Sequence, residues 1–325
     1  NSAGVDCSDH EVNIKILIDQ IVSQGSLTKK QRNSLLAQMT EEVGQQVLVD
    51  NYNQTLAINM ILYQGMGTFD NQVRLMRFLE KSGRLNREVE FLPNDEVLID
   101  RGASRSGLTG PEIAVLMSYA KIWISEEILA SDLPDDITLQ DDLVAYFPTP
   151  LRKTYKNEII NHRLSRQIIA TQLTNSMVNR AGGTFIYDLM ERTGKLSSDV
   201  VKAYNIAWRC LGMGAIWSEI DALDNKVSAA VQTQMRLDTN QFIEWVTLWF
   251  LRNGRGSLKI GSHVDEFFDG FKVLYDCISE SLPKHYLRDV SARAEPYIVE
   301  GVPENLAIRV SGLVNMFSGC DILRL

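Results

Sequence analysis

Apolar residues recur at three- and four-residue spacing along almost the whole of this chain, while the alternation that marks a strand is nearly absent. Such a sequence can bury its apolar surface only by packing helix against helix. The first helix is expected from about Asp9 to Ser23, stopped by Gly25, and Thr28-x-x-Gln31 opens a second. Thr40 opens a third, which runs through Val47, Leu56 and Met60 to Gly65; a fourth covers 70–82 and ends at Gly83. Thr109-Gly110-Pro111-Glu112 supplies a cap, an early-turn proline and an N3 carboxylate together, and predicts a helix to Leu129. Further helices are expected at 151–181, 184–193 and 198–222, with breaks at Gly182-Gly183 and Gly194. Asp238-x-x-Gln241 restarts a helix that Asn253-Gly254 ends, and three more follow near 262–281, 284–295 and 303–317. Val89 to Leu92 and Tyr297 to Val299 are the only strand candidates, too few for a sheet. The stretch Arg101 to Gly107 reads as a mobile loop, and Phe147-Pro148-Thr149-Pro150 as a rigid elbow. The expected fold is all-α: a large multi-helical domain with a candidate subdivision near Pro148.

Composition narrows the partners. Of 325 residues 45% are hydrophobic, enough for a sizeable core, and the net charge is -8. Nucleic acid and anionic membrane surfaces reward clustered cations and are poor partners for such a chain. Arg152-Lys153 with Lys156, and His162-Arg163 with Arg166, are the densest basic groups, and both are expected on solvated helix faces. Cys7, Cys210, Cys277 and Cys320 are too dispersed for a disulfide framework or a CxxC pair, which suits a reducing cytoplasm. Cys7 and His10 supply half a metal site with no visible second half, so no metal is expected. No apolar run approaches the roughly 20 residues that span a bilayer.

Complete catalytic constellations are missing. Gly212-Met213-Gly214 lacks the third glycine of a phosphate loop and is expected to serve close helix packing. The carboxylate pairs Glu41-Glu42, Glu126-Glu127, Asp135-Asp136 and Asp141-Asp142 fit helix-end and solvation roles. Trp208, Trp217, Trp245 and Trp249 fall at helical spacing and are expected in the core. The segment that could carry a site is the first, Asn1-Ser2-Ala3-Gly4-Val5-Asp6-Cys7-Ser8-Asp9-His10-Glu11. Ala3-Gly4 is a small-residue turn, and Ser8 at a helix start would offer a hydroxyl and a positive dipole end to an anion. Ser8-x-x-Glu11 is equally a capping box that needs no ligand, and the residues alone favour the cap.

These same eleven residues resemble the Asn-Ala-Gly-Gly-Val-x-x-Ser-x-x-Glu element of amino-acid dehydrogenases of the glutamate type, and in wording the very large NAD-specific glutamate dehydrogenases of bacteria. Gly107 to Leu116 with Lys121, Tyr146-Phe147-Pro148, and His162 to Thr171 with Asn175, Val178-Asn179-Arg180 and Gly183-Thr184-Phe185 resemble that class in the same order. The resemblance implies NAD-dependent oxidative deamination of L-glutamate to 2-oxoglutarate and ammonium. It implies that Asn1 lies near the nicotinamide end of the cofactor pocket and that Ser8 bonds the side-chain carboxylate of the substrate. Ala3 departs from the glycine usual in the smaller enzymes. The catalytic lysine, the catalytic aspartate and the dinucleotide-binding sheet of the family have no counterpart here.

The resemblance therefore makes this chain a C-terminal piece of a larger cytoplasmic, homo-oligomeric enzyme, inactive alone. Residues 1–24 would end the catalytic domain and 25–325 would form a helical domain for assembly or regulation, partnered with the upstream catalytic domain. The alternative reading is a non-catalytic helical scaffold or regulatory interaction module.

Overall fold

The computed structural model describes residues 2–254, 256–276 and 283–325, with side chains from residue 9 onward except that of residue 276. Among the described residues there is no strand, and the fold is all-α. Val89 to Leu92 forms turns, and Tyr297 to Val299 ends a helix. The chain divides into two compact units, residues 1–183 and 184–325.

The first unit contains α1 (Ser2–Ser23), α2 (Lys29–Gln64), α3 (Phe69–Lys81), α4 (Asp95–Ser104) and α5 (Gly110–Leu129), followed by the short α6 (Gln140–Tyr146), α7 (Thr149–Thr154) and α8 (Lys156–Ile160), and by α9 (Ser165–Ala181). Helix α9 packs on α2, α5 and α6. It buries Ile168, Ile169, Leu173, Met177 and Val178, more than one face of a helix, as befits a central element. Trp123 of α5 is 2% exposed and meets Phe78 of α3 edge-on, with ring centroids 5.0 Å apart.

The second unit contains α10 (Phe185–Thr193), α11 (Ser197–Cys210), α12 (Met213–Asp221), α13 (Ala229–Asn253), α14 (Ile260–Asp276), α15 (Lys284–Val299), α16 (Glu304–Gly312) and α17 (Gly319–Arg324). Helix α11 is central here, packed on α10, α13 and α14, with Val200, Val201, Ala203, Tyr204, Ile206 and Ala207 all buried. Trp217 and Trp249 join this core, whereas Trp208 and Trp245 are half-buried.

Several expected boundaries move. Thr28 caps α2 through a reciprocal box with Gln31, but Thr40 opens nothing. Its hydroxyl donates to the Leu36 carbonyl one turn back, at 3.1 Å, and α2 runs through unbroken. Asp238 likewise sits inside α13, accepting from Gln234 within the same helix. The helix expected over 151–181 is three, broken at Tyr155 and again over 161–164, where the Leu164 N–H turns to the His162 ring. The one expected over 198–222 is two, because Gly212 adopts φ 58°, a left-handed geometry that ends α11. Nothing lies within 4 Å of a Cβ built on Gly212 or Gly214, so close packing is not the role of that pair. The stretch 101–107 is half helix, and Arg101 anchors it by donating to Glu112 at 2.6 Å. Pro296 is accommodated inside α15, which runs on to Val299.

Candidate functional site

Helix α1 reaches back to Ser2, so the backbone at Ala3-Gly4 is helical rather than a turn, and Ser8 is interior to the helix rather than its cap. The physical reason is local: Glu11, the would-be box partner, pairs with Lys15 one turn further on. Asn1 lies outside the described residues, as do the side chains of Ser8 and Cys7.

What the structure does build, beginning one residue after Ser8, is a polar cleft on the same helix. Its volume is about 190 Å³, and α1 contributes Asp9, His10 and Asn13 to it. Helix α2 adds Asp50, α6 ends in it with Tyr146, and α9 lines it with Gln167, Thr171 and Asn175. Those last three are spaced by four, which places them in one row along the helix. A second opening on α2, with Gln45 and Val49 in its lining, shares His10, Asp50 and Tyr146.

His10 is 5% exposed, and its ring stacks on Tyr146 at a centroid distance of 4.4 Å with 9° between the planes. Its Nε2 lies 3.9 Å from an Asp50 carboxylate oxygen, and its Nδ1 is buried without a hydrogen-bond partner. The Tyr146 hydroxyl accepts from the Asn13 amide at 2.9 Å. The carbonyl of Asn13 meets Nε2 of His162 at 3.1 Å, so this one residue ties α1 to both Tyr146 and His162. His162 is 2% exposed, and its Nδ1 accepts the Leu164 N–H at 3.1 Å, which puts the proton on Nε2 facing Asn13. Burial, assisted by Arg163 and opposed by the Asn13 carbonyl, holds the pKa of His162 below its ordinary value.

The expected solvated basic faces are therefore corrected in part. His162 is buried; Arg166 pairs with Asp135 and donates to the Leu129 and Ser131 carbonyls, closing the end of α5. Arg152 binds Glu42, whose carboxylate also takes the Thr149 N–H at the start of α7. Sequence reasoning placed Glu42 at a helix end, but the end it caps belongs to a helix 107 positions away.

Two carboxylates, several amides and an unpaired imidazole nitrogen suit a ligand rich in donors better than a dicarboxylate. The cleft does not suit a dinucleotide either. It is small beside the usual ligand pocket of about 300–1,000 Å³, and among the described residues no strand feeds a helix N-terminus to cradle a pyrophosphate. Nor does any group of three or more His, Cys, Asp or Glu among them converge on a metal position. No described helix is long and apolar enough to cross a membrane.

Comparison with known proteins defines the class. The family described as glutamate dehydrogenase, C-terminal, matches residues 105–325, and the catalytic domain of bacterial NAD-glutamate dehydrogenase matches residues 1–61. The chain belongs to the glutamate dehydrogenase C-terminal family. It is 41% identical to the NAD-specific glutamate dehydrogenase of Halomonas elongata over 327 residues, covering 100% of this chain and 20% of that protein. The NAD-specific glutamate dehydrogenases of Pseudomonas aeruginosa and Mycobacterium tuberculosis are 38% and 37% identical over 323 residues, each alignment covering 99% of this chain and 20% of the relative. The chain thus spans 20% of the length of these relatives.

Proposed function

We propose that these residues are part of a cytoplasmic NAD-dependent glutamate dehydrogenase that deaminates L-glutamate to 2-oxoglutarate and ammonium. The observation that carries the reading is the match of residues 1–61 to the bacterial catalytic domain, joined to 41% identity along the whole chain with an enzyme of that name. In this reading Ser8 bonds the side-chain carboxylate of the substrate and Asn1 faces the nicotinamide end of NAD. The lysine and aspartate that handle protons, and the sheet that binds the dinucleotide, belong to residues outside this chain.

The described residues support a positioning role. Asn13 bonds Tyr146 and His162 at once, and α1 packs on α2 and α8, so the helix that carries Ser8 has a fixed seat. The helical remainder then serves assembly of a homo-oligomer or regulation of the catalytic domain, and residues 1–24 close that domain.

Steady-state NADH production from glutamate and NAD tests the proposal. The full-length parent turns over and the isolated 325-residue chain does not; turnover by the isolated chain overturns the division of labour. In the parent, Ser8→Ala raises the KM for glutamate by an amount equivalent to about 1–3 kcal/mol of charged hydrogen bonding. An unchanged KM removes Ser8 from the substrate site.

A further inference from the structure

The polar cleft of the first unit carries negative charge without a matching cation. Asp9 of α1 and Asp50 of α2 line it from different helices. No lysine or arginine lines this cleft or the second opening that shares His10 and Asp50. Among the described residues neither carboxylate has a lysine or arginine partner. Glu42 of the second opening differs, because Thr149 and Arg152 already answer its charge.

The buried wall of the cleft is unsatisfied as well. His10 is 5% exposed, and its Nδ1 has no hydrogen-bond partner. With the ring proton on Nε2, the Nδ1 lone pair is buried without a donor. With the proton on Nδ1, the Nε2 lone pair faces an Asp50 oxygen across 3.9 Å, acceptor against acceptor. Either neutral tautomer leaves an acceptor that a ligand N–H would satisfy, and leaving it unmet is costly.

An alkyl ammonium brings three such donors and a positive charge on one compact head. Its methylenes find Leu164 and Ile168 in the same lining, and the amide oxygens of Gln167 and Asn175 suit its remaining N–H groups. Two carboxylates on separate helices select two ammoniums over one. A carboxylate on the ligand is disfavoured, since no cation of the lining answers it and it would lie beside Asp9 or Asp50. The cleft volume of about 190 Å³ restricts the occupant to a small molecule.

We propose that this cleft binds an aliphatic diamine of putrescine or cadaverine size, one ammonium between His10 and Asp50 and the other at Asp9. Bound there, the diamine bridges α1 to α2. The site stands independently of the dehydrogenase reading, because binding is measured on this chain and requires no turnover.

Isothermal titration of the 325-residue chain at constant ionic strength tests it, with putrescine and cadaverine as probes. Butylamine lacks the second ammonium, ornithine adds a carboxylate to putrescine, and magnesium chloride offers a divalent charge without the chain. At least one diamine binds saturably, and each control binds about tenfold or more weakly, a loss of about 1.4 kcal/mol. Asp50→Asn weakens diamine binding by a similar factor in protein that melts like the parent chain. Asp9→Asn, at an exposed position, brings the diamine down to the level of butylamine and leaves butylamine unchanged. Thr171→Lys sets a tethered ammonium in the cleft from another exposed position, and abolishes binding with the fold intact even if an Asp50 variant does not fold. The proposal is overturned by absence of saturable binding to folded wild-type protein, by any control binding as tightly as the diamines, or by full binding in Thr171→Lys.

Discussion

Glu42 takes hydrogen bonds on both carboxylate oxygens from the Thr149 N–H, at 2.8 and 2.9 Å, and on one of them from the Thr149 hydroxyl and Arg152. Burial pushes its pKa up, but the bonds from Thr149 and Arg152 outweigh this and hold it below the ordinary 4.5. Folded Glu42 thus binds a proton less readily than the unfolded chain does. Its contribution is present above pH 4.5 and lost as the pH falls below that value. Glu42→Gln should cost about 1–3 kcal/mol in urea unfolding at neutral pH, because Thr149 and Arg152 lose a charged acceptor. His162 acts in a higher window. Its folded pKa is depressed, so the stability it confers is complete above 6.5 and declines as the pH falls through and below that value, where the unfolded chain gains a proton that the buried ring refuses. Melting temperature measured from pH 7.5 to 5 should fall on the acid side, and the slope should flatten in His162→Gln. An identical slope in the variant would assign the effect to other groups. Asn13 can be tested by turnover: in the parent enzyme, Asn13→Ala should lower kcat/KM by about tenfold or more if α1 seats the substrate serine. An unaltered kcat/KM would leave Asn13 a purely structural residue.

At the scale of the element, the caps carry most of what is local. Glu112 accepts the Thr109 N–H at 2.7 Å and pairs with Arg101 at 2.6 Å, thereby joining the start of α5 to the end of α4. Burial raises its pKa, and the bonds from Arg101 and Thr109 more than reverse that. Glu112→Ala should therefore destabilise by about 2 kcal/mol or more, against about 1 kcal/mol or less for Thr28→Ala at the exposed cap of α2. Equal losses would mean that the Arg101 link contributes nothing. Between elements, the approach of the chain to α5 at Gly183 is tight: a Cβ there would lie 3.2 Å from that of Ala120 and 3.5 Å from the Cα of Met117. Gly183→Val should destabilise by about 1–3 kcal/mol through overpacking, readable as a lower urea midpoint at an unchanged slope.

For the whole molecule, the division after Gly183 makes a direct expectation. Each unit has its own central helix, α9 in the first and α11 in the second, with buried residues around most of its circumference. Residues 1–183 and 184–325 expressed separately should each give a helical circular dichroism spectrum and a cooperative melt. A non-cooperative melt from either piece would show that it takes its core from elsewhere. The family matches follow other boundaries: 1–61 ends inside the first unit, and 105–325 begins inside it and continues through the second.

The all-α class was legible because helical periodicity is a property of every ten-residue window, and the caps Thr28-Gln31 and Thr109-Glu112 were legible because their partners lie three residues apart. The same local logic misjudged Thr40 and Asp238, which look like starts but sit inside continuing helices. It also missed the burial of His162, which depends on Asn13, 149 positions away, and the helix end that Glu42 serves. The Gln167, Thr171 and Asn175 row is readable from its spacing of four, but α9 carries other polar residues that hide it, and nothing local says that Asp9, Asp50 and Tyr146 face it. The residues alone determine which segments coil and where neighbouring donors are satisfied, since those choices depend on contacts within one or two turns. Which polar groups are buried, which helix end each carboxylate caps and which faces enclose a cavity depend on residues over a hundred positions apart, and only the packed chain decides them.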